Sequence, residues 1–152
     1  CATHPLPASL RQAAADQPPF ADLARNPAAY QGRTVVLSGL VLGVAPAAEG
    51  EGSVLELLEV PADAAGRPTD PDRSRGRALV RTARRLDPAI YRPGREVTVG
   101  GTVAGAETRE VPGAGRITYP VIEARELHLF PPRGPRGAPL PISIGIGVGV
   151  GF

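Results

Sequence analysis

Residues 33–44, RTVVLSGLVLGV, decide the architecture. Apart from a serine and two glycines, every residue from Val35 to Val44 is β-branched or aliphatic, too long and too apolar for a loop and bounded by Gln31-Gly32 before it. Such a run is a strand, and Gly39 inside it predicts a bulge or a sharp bend. A strand of this length that bends at glycine can belong to two sheets at once.

Four more strands follow it, separated by turn signals. They are 54–60 (VLELLEV), 78–84, 96–103 (EVTVGGTV) and 119–130. A short helix is predicted over residues 20–24, ended by Asn26-Pro27, and a helix or turn over 87–91. Residues 61–76 and 104–115, rich in glycine or proline, are predicted as two long loops. Five strands with a long, bent first strand and a short helix before the fourth give an all-β, five-stranded OB-fold-like barrel, partly open. A β-sandwich needs about seven strands, and only five are present. Alternation places Val35, Leu37, Val41, Leu55, Leu57, Val97, Val99, Val103, Ile122 and Leu127 in the core, unless Gly39 shifts the inward face by one residue.

The 152 residues divide by composition into 1–18, 19–130, 131–141 and 142–152. Residues 1–18 are rich in alanine and proline and are expected to be a tether, with at most a helical turn at 10–15 that is too short to stand alone. Cys1 is the single cysteine, so no internal disulfide exists, and the chain has no methionine. A cysteine followed by Ala2-Thr3 and a polar tether is the pattern of a processed bacterial lipoprotein, so Cys1 is the expected lipidation site. Acyl chains contribute about 0.8 kcal/mol per buried methylene, and stable anchoring takes more than one chain. Ala2 is not the aspartate that retains such proteins at the inner membrane, which points to the outer membrane, with the domain facing the periplasm. Covalent lipid apart, no cofactor is expected.

Several short motifs recur in a fixed order. Phe20, Leu23, Asn26-Pro27 and Tyr30-Gln31-Gly32-Arg33 are followed by Val35, Leu55-Glu56 and Gly66-Arg67-Pro68. Asp72, Ser74, Gly76-Arg77, Asp87-Pro88, Tyr91 and Gly94-Arg95 come next, then Val97-Thr98-Val99, Gly101, Tyr119-Pro120-Val121 and Leu127-His128-Leu129. Together they resemble the Slp family of outer-membrane lipoproteins from Phe20 to Phe130, continuing to Cys1. Phe130, where members often carry tryptophan, and Leu40, where glycine often follows Gly39, depart from the pattern. The resemblance implies a lipidated outer-membrane protein and little chemistry.

Residues 131–141 (PPRGPRGAPLP) form an extended linker of roughly 30 Å, in which Arg133 and Arg136 are candidates for contact with lipid phosphate. Residues 142–152 (ISIGIGVGVGF) alternate without a break. As a strand they place Ile142, Ile144, Ile146, Val148, Val150 and Phe152 on one face, and serine and glycines on the other. Eleven residues extend roughly 36 Å and, tilted by about 45°, rise roughly 25 Å, the height of an outer-membrane apolar band. A lone strand leaves its backbone unpaired in lipid, so insertion requires several subunits to share one barrel. An edge strand added to its own sheet, or a segment that awaits a partner, is the other reading.

Chemistry is sparse. His4 and His128 have no cysteine or second histidine beside them in the sequence, so no metal or triad pattern arises. Asp63, Asp70 and Asp72 lack the spacing of an EF-hand. Asp72, Ser74 and Arg77 are candidates for shaping their own loop through backbone hydrogen bonds. All 17 basic residues are arginine, against 15 acids, for a net charge of +2. With three tyrosines, three phenylalanines and no tryptophan, the aromatic platforms of a nucleic-acid groove are missing. The expected function is non-enzymatic: an anchored scaffold with an assembly strand, partnered by outer-membrane lipid and by copies of itself or another envelope protein. The alternative is a monomeric lipoprotein that binds a small ligand or envelope polysaccharide through the face of the second and third strands and the loops after the first and fourth.

Overall fold

The computed structural model describes residues 4–47 and 51–133. Two helices, α1 (Ala8–Ala13) and α2 (Phe20–Arg25), and a 3₁₀ turn precede the strands β1 (Thr34–Pro46), β2 (Ser53–Glu59), β3 (Gly76–Thr82), β4 (Glu96–Val111) and β5 (Gly115–Leu129). The strands close in the order β1-β2-β3-β5-β4, with β4 returning to β1. Every neighbouring pair is antiparallel except β3 with β5, which run parallel over Leu79–Arg81. This is the OB architecture, and that parallel pairing closes the barrel expected to be partly open.

β1 serves both halves. It pairs with β4 from Thr34 to Leu40 and with β2 from Gly39 to Pro46. Gly39 is the point of transfer, and a Cβ there would fall on the carbonyl oxygen of Leu58. The glycine permits close approach of two backbones and is not itself the bulge. The register shift falls between Val41 and Gly43, so the inward row Val35, Leu37, Gly39, Val41 stays in phase.

Nine of the ten expected core residues are buried in one cluster, and Leu127 packs at its margin. Each fully buried side chain of this size contributes about 1.5–3 kcal/mol. Phe20 and Leu23 of α2 join the cluster from one mouth of the barrel, beside the start of β3 at Gly76. Leu86 joins it at the other mouth, where its N–H donates to Ser53 Oγ at 2.8 Å. The inward row of β2 is Ser53, Leu55, Leu57, Glu59, all buried, polar at both mouths and apolar between them.

Two expectations change. Residues 104–115 are not a long loop, because β4 and β5 continue as a two-stranded ribbon from Gly105↔Val121 to Val111↔Gly115. Glu107, Thr108, Arg109 and Glu110 carry no apolar row, since both faces of this distal ribbon are largely exposed. The N-terminal segment differs from a free tether. Leu6, Leu10 and Ala14 are buried, and α1 lies against β1 and β4. Six residues are too few to hold a helix alone, and packing on the barrel supplies what length does not.

Candidate functional site

The outer face of β1 and β4 is the most elaborated part of the surface. Side chains there alternate with the core row, so Val36 and Ser38 of β1 and Glu96, Thr98 and Gly100 of β4 point outward. Gly100 is a socket, in which a Cβ would stand 2.5 Å from Leu10 Cδ2 and 3.3 Å from Leu6 Cδ1. Beside it, the Gln17 amide pairs with one residue of strand backbone. Its Nε2 donates to the Val36 carbonyl at 3.1 Å, and its Oε1 accepts from the Val36 N–H at 2.8 Å. Gln17 thus satisfies the edge of β1 before β2 begins. Arg33 adds a bond to the Asp16 carbonyl at 2.9 Å.

The 61–68 loop covers the next stretch of the same face. Ser38, buried, donates to the Gly66 carbonyl at 2.6 Å and lies 2.9 Å from Thr98 Oγ1. Asp63 shapes this loop by accepting from the N–H groups of Ala65 and Arg67. Asp70 caps the 3₁₀ turn at Pro71–Arg73 by accepting from Asp72 N–H, and Ser74 bonds the Gly76 backbone. The loop-shaping expectation holds for Ser74. Arg77 instead reaches across the sheet to Glu56 at 3.2 Å.

The start of the C-terminal segment is fastened to this loop. Glu96 accepts from Arg67 Nε at 2.6 Å and from Arg133 Nε at 2.9 Å. Arg67 also donates to the Pro131 carbonyl, and Arg133 to the Pro68 carbonyl at 3.0 Å. The Arg67 guanidinium stands 5.4 Å from the Phe130 ring centroid, within cation–π range, and Arg95 donates to the Phe130 carbonyl. Arg133, expected to meet lipid phosphate, is thus engaged in a clamp. Cys1, Arg136 and the assembly residues Ile142, Ile144, Ile146, Val148, Val150 and Phe152 lie outside the described residues. His4 is half-buried against Gly66, and His128 packs edge-on to Phe130 at 4.8 Å.

At the mouth near Glu59, a cleft of about 360 Å³ opens between the N-terminal segment, β1 and the 61–76 loop, with His4, Gln17, Asp63 and Arg75 on its walls. Glu59 is buried, and Arg75 grips both its oxygens, at 3.1 and 2.6 Å. That bidentate hydrogen bond raises the affinity of Arg75 for its proton. The outer face of β2 and β3, where an OB barrel receives ligands, is covered instead. Leu79, Tyr119 and Val121 are buried there, with Val54, Val111 and Ile117 packed against them. The Tyr119 hydroxyl donates to Glu56 at 2.8 Å, and burial, then that bond, pushes the phenol above its usual pKa. Sequence reasoning missed Gln17, Glu59, Arg75, Glu96 and the Glu56–Tyr119 pair. Only Glu59 carried a signal, because it continues the inward row of β2.

Among the described residues, no group of three His, Cys, Asp or Glu side chains is placed to hold a metal ion, and no helix is long and apolar enough to cross a membrane. The fold and its wrapping define an all-β OB-type domain covered on the outside by its own chain. The chain belongs to the outer membrane lipoprotein Slp family, which it matches over residues 1–142, and so takes its place among outer-membrane lipoproteins. No curated protein matches it. Among solved structures it is similar to the small single-stranded DNA-binding protein from Streptomyces coelicolor, at 17% identity and a TM-score of 0.41, covering 65% of this chain and 94% of that one.

Proposed function

We propose that this protein is a non-enzymatic constituent of the outer membrane, anchored by acyl chains on Cys1 and facing the periplasm. Its barrel is a rigid scaffold, and its residues 142–152 assemble copies of the chain in the membrane. Family membership supports the location. The observation that carries the assembly role is the clamp on Phe130–Arg133, since Arg67, Arg95 and Glu96 fix the point from which the C-terminal segment departs. A strand that must meet identical strands in a ring gains from a fixed departure point, because less freedom is lost on assembly. The barrel interior is filled by its own core, which suits a scaffold better than a conduit. Arg136, three residues beyond Arg133, remains the candidate for lipid phosphate. Size measurement of the detergent-extracted protein tests the proposal. The full chain should run as an oligomer and the variant lacking 142–152 as a monomer. Monomers in both cases would sink it.

A second reading is a lipoprotein that binds a small ligand or envelope saccharide. The cleft at the Glu59–Arg75 mouth favours it, more than the covered face of β2 and β3 does. Perturbation of Arg75 and His4 resonances by envelope saccharide fragments, without any change of oligomeric state, would favour this reading over assembly.

A further inference from the structure

We infer that the side of the barrel formed by the 61–68 loop, His4 and Arg133 rests on a lipid bilayer, and that residues 4–17 are a docked strap that holds it there. The inference rests on anchoring through Cys1. It concerns the orientation and stand-off of the domain, which anchoring alone leaves free.

Chain length is the first argument. A free tether of 18 residues reaches roughly 60 Å, and a domain on such a tether has no preferred face. Here Leu6, Leu10 and Ala14 are buried and Gln17 is bonded to Val36. The three residues before His4 span at most about 10 Å. His4 lies against Gly66, so the 61–68 loop must lie within that distance of the lipid attached to Cys1.

The C-terminal segment, which the proposed assembly role places in the membrane, points to the same side. It leaves from the same loop, with Arg133 bonded to the Pro68 carbonyl at 3.0 Å and Arg67 to the Pro131 carbonyl. Two chain segments far apart in sequence are thus brought to one side. By contrast, the β4–β5 turn lies at the far end of a 16-residue strand that starts at Glu96, up to about 50 Å away along it.

Among the described residues, the arginines of this side are already paired. Arg67 and Arg133 share Glu96, and Arg75 holds Glu59. The contact is therefore set by tether length and should form on zwitterionic lipid.

The test uses the acylated full chain in phosphatidylcholine vesicles that carry a headgroup-nitroxide lipid. A fluorophore is placed on Ala64→Cys or Ala114→Cys, both exposed positions. The sulfur of acylated Cys1 is a thioether and does not compete for the label. Quenching should be several-fold stronger at position 64 than at 114. Leu10→Asp, and independently Gly100→Leu, should eject the strap and erase the difference while the protein still floats with the vesicles. Gly100 points out of the barrel, so both variants should keep the cooperative thermal transition of the barrel and lose only the helical signal of the six-residue α1. Equal quenching in a floating wild-type chain overturns this inference alone, and a difference that survives strap ejection overturns the role of the strap. A chain that does not float overturns the anchoring reading, and the orientation falls with it.

Discussion

Inside the barrel, Val35, Leu55, Val80 and Val99 belong to one apolar cluster. On its outside, Gln17, Ser38, Glu96 and Arg133 are held by directional bonds to backbone and to opposite charge. The two layers answer to different physics. Apolar burial is non-directional and proportional to area, so any residue of suitable size and parity serves. A hydrogen bond or ion pair needs one particular partner at one distance and angle. The two layers therefore tolerate change differently. The inner layer should fail all at once, and the outer layer piece by piece.

A charge in the inner layer should have the most severe effect. Val99 is fully buried and pairs with Leu37 on one side and Leu127 on the other. Val99→Asp leaves a carboxylate without a partner, at a cost of several kcal/mol against a total stability of about 5–15 kcal/mol for a domain. Loss of the cooperative thermal transition is the expected result. A variant that melts within a few degrees of the wild type would contradict the assigned core.

Next in size is the pair at the barrel mouth, where a charge does sit on the inward row. Arg75→Ala leaves Glu59 buried and unpaired. Fully buried pairs cost about 3–5 kcal/mol to break. Arg75 is 47% exposed and Glu59 only 4%, so water reaches one partner and about 2 kcal/mol is expected in denaturant unfolding. Adding Glu59→Gln should return much of that loss, because the stranded charge is gone. Full additivity of the two changes would show that the pair is not coupled.

These two sites also show what was legible in the sequence. Parity along RTVVLSGLVLGV and VLELLEV yields the core, because alternation reports which side faces inward whatever the partner is. The same parity puts Glu59 inside and so demands a cation, yet 17 arginines are candidates and nothing local selects Arg75. Gln17 and Val36, 19 residues apart, and Arg67 with Pro131, 64 apart, are contacts of the folded chain alone. The ribbon beyond Gly105 was hidden for another reason. Only Val111 and Ile117 of its outer half pack on the second cluster, too few to make an apolar period, and its pairing is what makes it a strand.

The strap combines the two kinds of contact. Leu10 is buried, but on the outer surface, in the socket left by Gly100. Leu10→Asp should release residues 4–17 and leave the barrel folded. Amide exchange should accelerate over 8–14 and at Val36, whose N–H loses Gln17, while exchange at Val99 stays slow. Equal acceleration at Val99 would mean that strap and barrel are one cooperative unit.

The smallest expected effect is on pH. His4 Nδ1 accepts from the Leu6 N–H at 3.1 Å, which requires an unprotonated nitrogen. Burial, and then the positive charge of Arg11, lower the affinity of this imidazole for a proton below its usual value of 6.5. Asp63 acts in the opposite direction, and His128 adds slightly to the lowering. A group whose folded pKa is depressed favours the docked strap above its unfolded pKa and loses that contribution as pH falls through the folded one. The start of the strap should therefore loosen only below pH 6.5, where His4 gains a charge facing Arg11 and loses the bond from Leu6. An NMR titration of the His4 ring should show a midpoint below that of a free histidine, and Leu6 N–H should shift with the same midpoint. In the strap-ejecting Leu10→Asp variant the midpoint should rise back toward 6.5, since the burial that depresses it is gone. A His4 midpoint that is the same in both proteins would mean that the ring never docks against Gly66, and the short stand-off inferred for the barrel would lose its first contact.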